Sequence, residues 1–479
     1  MNLGEYASYD AMGLADLVRR GEITPAELEA LARQAIDAVN PEINAVIGDV
    51  PSALAAAETG TEASFHGVPF LLKDLGHGYQ GVACDMGSRM GEGFVTPRES
   101  ELARRFRASG VVAVGRTNTP EFGLSGTTEP LLHGPSRNPW DLSVSSGGSS
   151  GGASAAIAAG IVPMAHGSDA GGSIRIPAGW TGLVGLKPSR GLVPKGPDAS
   201  DATVWLSMHF VLSRSVRDSA AMLDAMAGPG PGDYVAVNRP DPGYLEMMKR
   251  PPQGLRIALC RQLPGDMVTA PECIAAVEAT ARLCEELGHH VEEAVPDIDV
   301  LTTHRIGYEL FLSRVAALIS GLESSMGRKP GPDVLEAMTL AAIEAGNDMT
   351  MERLFNALKE MEAMTVTLDR FMADYDILLM PAVTGAPFEI GYANPDRERP
   401  YGPAYWQDEM PYFAISPMHN ITGLPALAIP SIWHEDRLPL GSQLGGAKNA
   451  DGLLFALAAQ IEEASSWQGR TPPVHVSRA

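Results

Sequence analysis

The sequence predicts an α/β protein, on three observations. Between Glu99 and Gly126 a segment of helical character, ELARRFRASG, runs directly into the strand-like VVAVGRT. From Leu255 to Val291 the segments LRIALC, CIAAVEATARLCEELG and HHVEEA read as strand, helix and strand. The run Val68–Leu72 is uninterrupted and apolar, which suits a strand covered on both faces. Strands that alternate with helices build layered α/β sheets. The 479 residues would suffice for about two or three average domains. No internal repeat and no dividing linker appears, so a single domain over 1–479 is expected.

Taken in order, the first clear element is a helix that starts at Thr24. Thr24 is the N-cap, Pro25 occupies the first helical position and Glu27 completes a capping box. Leu28, Leu31, Ala35 and Val39 recur at helical spacing, Asn40-Pro41 should end the helix, and INAVI should begin an extended segment. The apolar run after Gly67 ends in Lys73-Asp74. Read by itself, Lys73 is a lysine at the edge of the core that snorkels or pairs with Asp74. Ala153 to Ala165 is too short to span a membrane and reads as a buried helix and strand. Residues 306 to about 370 are rich in Leu, Ala, Met and Glu at helical spacing, and the Met residues there read as core filler. Asp374–Pro381 is a buried strand, ALAIP follows Asn420–Pro425, and Leu453–Ala464 is a final helix.

Composition narrows the function. Hydrophobic residues make up 45% and charged residues 20%, as in a globular protein with a large core. With 36 Lys+Arg against 58 Asp+Glu the formal charge is −22, which argues against a nucleic-acid surface or an anionic membrane as partner. Cys84, Cys260, Cys273 and Cys284 have neither zinc-ligand spacing nor the density of a disulfide scaffold, so reduced structural thiols and no metal are expected. The N-terminus lacks a basic region followed by an apolar one, and a cytoplasmic enzyme is the default. His66, His133 and His166 show no partner pattern and read as structural.

The richest stretch is Ser145–Pro177. It opens with eight residues that are only Gly and Ser, passes through ASAAIAAGIVPMA and closes on GSDAGGSIRIP. Gly permits positive φ and close approach to the main chain. A turn such as Asp169–Ser173 can therefore aim several N–H groups at one point, as an oxyanion hole requires, with Ser173 at its end as candidate nucleophile. Many Gly/Ser runs are flexible linkers, but the Ala-rich continuation argues for burial. No phosphate-cradling G-x-x-x-x-G-K-[ST] loop is present. The residues alone leave an acyl-transfer site and a structural turn both open.

TNTPEFGLSGTTEP, NPWDLSVSSGGSSGGASAA and GSDAGGSIRIPAGWTGLVGLKPSRG, in this order, resemble the signature region of the amidase signature family. The likeness covers roughly 65–194 and reappears in YDILLMPAV and NITGLPALAIP. It implies a large central mixed β-sheet flanked by helices on both faces. The signature core would span about 65–194, with a peripheral α/β unit at about 254–297 and a variable helical region at about 306–370 shaping the substrate pocket. By the same resemblance Ser173 is the nucleophile, Lys73 the general base, and Ser149 the relay to the leaving amine, with a cis Gly148–Ser149 bond. The N–H groups of Ala170, Gly171, Gly172 and Ser173 would form the oxyanion hole, and Ser150, Asp169 and Arg175 would hold the arrangement. Asn118, Thr127 and Thr128 lie in loops that border the site in similar proteins, and Thr127, Thr128 and Ile176 are the expected substrate contacts. An ordinary lysine titrates near ~10.4, so the base requires a lysine whose charged form is disfavoured by burial.

The implied activity is hydrolysis of the C–N bond of a small uncharged amide, linear or cyclic, through an acyl-enzyme, with esters and aryl carbamates open to the same chemistry. No cofactor is expected, and the partner is a small amide or carbamate, with a homodimer left open. One alternative is the glutamine-hydrolysing A subunit of a tRNA-dependent amidotransferase. Ile176 stands where those subunits have glutamine, and an acidic chain does not suit a tRNA partner. The other alternative is a catalytically silent binding member, against which Lys73, Ser149 and Ser173 weigh together. Leu438–Gln443 resembles the family's G-L-P-x-G-x-Q turn, with Arg437 where Gly is usual, and Trp433 just before it is expected to cap the core.

Overall fold

The computed structural model describes residues 1–55, 60–197, 206–393, 409–434, 438–465 and 467–479. Its centre is a mixed sheet of eleven strands. In chain order the strands of the molecule are β1 (Val46–Asp49), β2 (Pro69–Lys73), β3 (Val112–Thr117), β4 (Arg137–Asn138), β5 (Asp141–Ser145), β6 (Met164–Asp169) and β7 (Val184–Lys187). They continue with β8 (Met208–Ser213), β9 (Arg256–Leu259), β10 (His290–Glu293), β11 (Ile377–Pro381), β12 (Ala426–His434) and β13 (Leu438–Gly446). The sheet order is β1-β3-β2-β6-β8-β7-β12-β13-β11-β9-β10, and β4 and β5 form a separate antiparallel pair.

Helices cover both faces, as consecutive residues of β13 show. Ser442 Oγ lies 2.9 Å from Thr280 Oγ1 on the helix Pro271–Glu286, and Gln443 Oε1 accepts from Arg175 on the helix Arg175–Thr181. Neighbouring strand residues point to opposite faces, so the two helices flank the sheet. Every residue of β2, β3, β6 and β8 is buried. That explains why these strands read as continuous runs and not as alternating ones.

One piece of topology positions the site. β2 lies parallel to both β3 and β6, so the carboxyl ends of β2 and β6 emerge side by side. Lys73 ends the first and Asp169 the second. The helix Gly151–Ala158, all eight residues buried, packs across these strands. A Cβ on Gly151 would lie 2.5 Å from Thr128 Oγ1, and one on Gly152 would lie 2.4 Å from Asn118 N. The Gly-rich run is thus a close-packed joint and not a linker.

Several boundaries differ from expectation. The first long helix has the predicted Thr24 capping box but continues through Pro41 to Ile43. Pro41 forfeits one helical hydrogen bond, and only in the last turn. Asn44, at φ 48°, then closes the end with its N–H on Asn40 O, while Asn40 Oδ1 accepts from Ala45 and Val46. Leu438–Gln443 is not a turn but the start of β13, paired with β12 and β11; Arg437 lies outside the described residues. The helical region resolves into Val300–Met326, Ala337–Asn347 and Met351–Phe371. Trp433 packs partly buried against Trp140 and under Arg470. All four cysteines are free and buried, and burial pushes the thiols of Cys260, Cys273 and Cys284 up to about 12. Among the described residues no helix is long and apolar enough to cross a membrane.

Candidate active site

Lys73 is fully buried, and its Nζ meets three hydroxyls: Ser149 Oγ at 2.7 Å, Ser150 Oγ at 3.0 Å and Ser168 Oγ at 3.0 Å. Burial lowers its pKa to about 7, against the partial opposition of the Asp169 charge. Asp74 offers it no ion pair. The Asp74 carboxylate accepts instead from Arg116 Nη1 at 2.5 Å, because successive side chains on an extended chain point apart. Burial, eased by Arg116, raises Asp74 to about 6. The pairing reading of Lys73 and Asp74 therefore fails. Asp74, Asp85 and His133 form the one cluster of metal-ligand type found among the described residues, but the Arg116 guanidinium already donates to both carboxylates.

Ser149 is presented by a tight loop. The Gly148–Ser149 bond is cis, and Gly147 has φ 81°. Gly148 is pressed against the main chain of Thr127, where an added Cβ would stand 2.3 Å from the carbonyl oxygen. Thr128 Oγ1 ties the loop down by donating to Gly147 O at 3.0 Å and accepting from Gly151 N at 3.1 Å.

The turn after β6 is organised by an ion pair. Asp169 and Arg175 are both fully buried, and they meet in two parallel contacts, Nε to Oδ2 at 2.9 Å and Nη2 to Oδ1 at 3.0 Å. Burial opposes the charge on Asp169, but Arg175, Asn420 and the N–H of Gly172 outweigh it and hold the carboxyl well below the usual range. Asn420 Nδ2 donates to Asp169 O and Oδ1, its Oδ1 accepts from Arg175 Nη2 at 2.6 Å, and Gln443 Oε1 takes Arg175 Nη1. The carboxylate also accepts from Gly172 N at 2.7 Å and Ile174 N at 3.2 Å. The Gly172 N–H, expected in the oxyanion hole, is thereby committed to Asp169. Those of Ala170, Gly171 and Ser173 make no hydrogen bond among the described residues.

Two chambers meet at Ser173. The first is walled by Leu124, Ile176, Leu206, His304, Tyr308, Phe413 and Pro417, and no Asp, Glu, Lys or Arg is among its described lining residues. The second contains Ser149 and Ser168, with Leu75, Phe122, Ser207, His209, Arg314, Val315 and Leu318 around them. Gly123, Ala170, Ser173 and Phe311 border both.

Of the expected substrate contacts, Ile176 lines the first chamber. Thr127 and Thr128 are buried and line neither, and their hydroxyls are engaged with Ser125 and the Gly147 loop. Asn118 likewise braces loops, through Gly134 O. His166 is buried and paired with His209, Nε2 to Nδ1 at 3.1 Å, and burial keeps both imidazoles neutral. The sequence reading missed Ser168 as a Lys73 partner, and Asn420 and Gln443 as clamps on Arg175. The last two lie in C-terminal segments whose motifs were visible but carried no role.

The Amidase family model matches residues 28–455. The chain is 35% identical to the 6-aminohexanoate-cyclic-dimer hydrolase of Paenarthrobacter ureafaciens, over 97% of this chain and 96% of that one. It is 32% identical to an acylamidase of Rhodococcus erythropolis, over 96% of each. A solved structure of 6-aminohexanoate cyclic dimer hydrolase complexed with substrate superposes with TM-score 0.92 at 33% identity, covering 98% of this chain and 99% of that one. A buried lysine among serines at the carboxyl ends of two parallel strands, in a chain matched along nearly its whole length, makes this protein a member of the amidase signature family and an amidohydrolase.

Proposed function

We propose that the protein cleaves small uncharged amides, linear or cyclic, of the kind built from ω-amino acids, through an acyl-enzyme on Ser173. The observation that carries the reading is Lys73 Nζ, buried and lowered to about 7, 2.7 Å from the hydroxyl of Ser149 in a chamber shared with Ser173. A neutral lysine has two N–H donors and one lone pair, so of its three hydroxyl neighbours only one can donate to it. Ser149, the nearest, is that donor.

In the first half-reaction Ser173 Oγ adds to the amide carbonyl carbon. Its proton passes to Ser149 Oγ as the Ser149 proton passes to Lys73 Nζ. The carbonyl π pair moves to oxygen, and the N–H groups of Ala170, Gly171 and Ser173 receive the oxyanion. The Gly172 N–H holds the turn through Asp169. When the tetrahedral adduct collapses the C–N bond breaks, and Lys73 returns its proton through Ser149 to the departing nitrogen. Water then repeats the sequence on the Ser173 ester and releases the acid. The same steps serve esters and aryl carbamates, whose acyl carbons accept the same nucleophile. A glutaminase reading is disfavoured because the described lining residues of the first chamber include no charged partner for the ammonium and carboxylate of glutamine.

The test is turnover by the purified chain on 6-aminohexanoate cyclic dimer, aryl anilides, primary amides, glutamine and aryl carbamates, with Ser173→Ala as control. Amide turnover should appear without any partner protein and vanish in Ser173→Ala. A variant that kept the wild-type rate would remove Ser173 from the mechanism. Efficient glutamine hydrolysis that required an added subunit would replace this reading.

A further inference from the structure

Ser149 is held by more than its own loop, and the segment that holds it is tied to a buried carboxylate outside the triad. Thr119 Oγ1 donates to Ser149 O at 3.0 Å. In the same segment Gly123 lies close to the Ser149 hydroxyl: a Cβ there would stand 3.2 Å from Ser149 Oγ and 2.9 Å from Leu75 Cδ2. Gly123 also borders both chambers. Between these two contacts sits Glu121, whose side chain is buried and is used by no step of the mechanism.

The backbone beside Glu121 is strained. Phe122 has φ 50° and ψ 17°, the left-handed region that disfavours any residue carrying a Cβ. Such a conformation persists only where the surroundings enforce it. The Phe122 N–H donates to Met86 O at 2.9 Å, and the ring is buried in an apolar cluster with Leu312, Val315 and Met338. Glu121 supplies the third restraint. Its Oε1 accepts from Ser88 Oγ at 2.6 Å, and its Oε2 accepts from Glu336 N at 2.9 Å and from Thr339 Oγ1. Glu336 and Thr339 belong to the N-cap and first turn of the helix Ala337–Asn347. A helix start leaves backbone N–H groups without partners and favours a negative charge nearby. That helix packs against Val300–Met326, which contributes to both chambers.

We infer that Glu121 is a positioning residue for Ser149: by tying the Glu121–Gly123 turn to the helix Ala337–Asn347 it holds Gly123 against the Ser149 hydroxyl. The helical region that walls the substrate chambers is thereby coupled to the proton relay. The inference rests on the relay reading of Ser149 given above. Without the carboxylate, Phe122 relaxes from its left-handed conformation and Gly123 moves away from Ser149 Oγ.

The experiment is a double-mutant cycle with Ser149→Ala, read by single-turnover acylation on hexanoyl 4-nitroanilide, with kcat and KM measured beside it. A misplacement of about 1 Å costs on the order of 10²-fold in rate. Glu121→Ala should slow acylation at least about tenfold and lower kcat with it, while KM changes far less. Thr339→Val removes a donor that lines neither chamber, and it should slow acylation by a smaller factor. Glu121→Gln should recover most of the Glu121→Ala loss. Its Oε1 can serve Glu336 N and Thr339, and its amide N–H can donate to Ser88 Oγ, whose hydroxyl turns to accept. In the Ser149→Ala background none of these variants should slow acylation further. Equal factors in both backgrounds, or a Glu121→Ala variant that acylates at the wild-type rate, would overturn the inference and leave the amidase reading standing. Should Glu121→Ala fail to fold, Thr339→Val in the two backgrounds decides by the same criteria. A Ser149→Ala variant that acylates normally, or a wild type that does not turn over the anilide, would count against the relay reading itself and take the inference with it.

Discussion

The mechanism stands or falls on Lys73 being neutral at working pH, and this can be tested without altering any other group. Taking the ammonium from 10.5 to about 7 corresponds to roughly 5 kcal/mol against the charged form, at about 1.36 kcal/mol per unit. An ordinary lysine at pH 7 is neutral in only about 1 molecule in 2,500. A lysine titrating near 7 is half neutral there, roughly a tenth neutral at pH 6 and about a hundredth at pH 5. As kcat/KM reports the free enzyme, it should fall about tenfold per pH unit below 7. Lys73→Arg keeps a cation that cannot be deprotonated, and Lys73→Ala removes the group. Both should lose on the order of 10²–10⁴-fold, with Arg no better than Ala. Stability gives an independent readout of the same shift. The folded-state value lies below the unfolded one, so between about 7 and ~10.4 the unfolded chain binds the extra proton. The wild type should therefore gain stability with rising pH in that window relative to Lys73→Met. Assays of kcat/KM from pH 5 to 9 and melts of the same proteins decide the matter. A flat acid limb, or an Arg variant within about tenfold of wild type, would refute the neutral base.

Three further outcomes follow from the geometry. Ser149→Ala, with Lys73 and Ser173 in place, should slow acylation by about 10²–10⁴-fold in a single-turnover assay; a normal rate would mean direct transfer from Ser173 to Lys73. Asp169→Asn leaves the Arg175 charge buried without its carboxylate, so denaturant melts should show a loss of about 3–5 kcal/mol, together with reduced kcat as the turn over Gly172 and Ile174 loosens. Gly148→Ala forces a Cβ to within 2.3 Å of Thr127 O, and since neither main chain can yield, activity should drop at least about a hundredfold; a variant of unchanged rate would show that the Ser149 loop can shift without cost.

How far the sequence reached depended on whether a feature is local. The Thr24 helix start, the strand ending in Lys73 and the buried stretch from Ala153 to Ala165 are set by caps, apolar runs and small residues, and the fold has all of them. The Gly positions that let Thr127, Thr128 and Asn118 press on the serine loop were visible as glycines, although their contacts were not. β8 and the helix Val216–Met226 went unread. So did the true state of Leu438–Gln443, whose pairing with two strands overrides the turn-like Leu-Pro-x-Gly pattern.

By itself, then, the sequence determined which groups are available: a lysine at the end of an apolar strand, serines on Gly-rich turns, and an Asp and an Arg six residues apart. Only the tertiary structure decided what those groups are. Lys73 is suited to the proposed role of base because β2, β3 and β6 lie side by side and bury it among three hydroxyls, and burial penalises charge. Asp74 is removed from it by Arg116, more than forty positions along the chain. The Asp169 turn is held by Asn420 and Gln443, from the opposite end of the chain. Both chambers take part of their lining from one long helix, Val300–Met326, far along the chain from the serine loops. Desolvation and long-range contact depend on what surrounds a residue in space, and local sequence pattern carries no record of that.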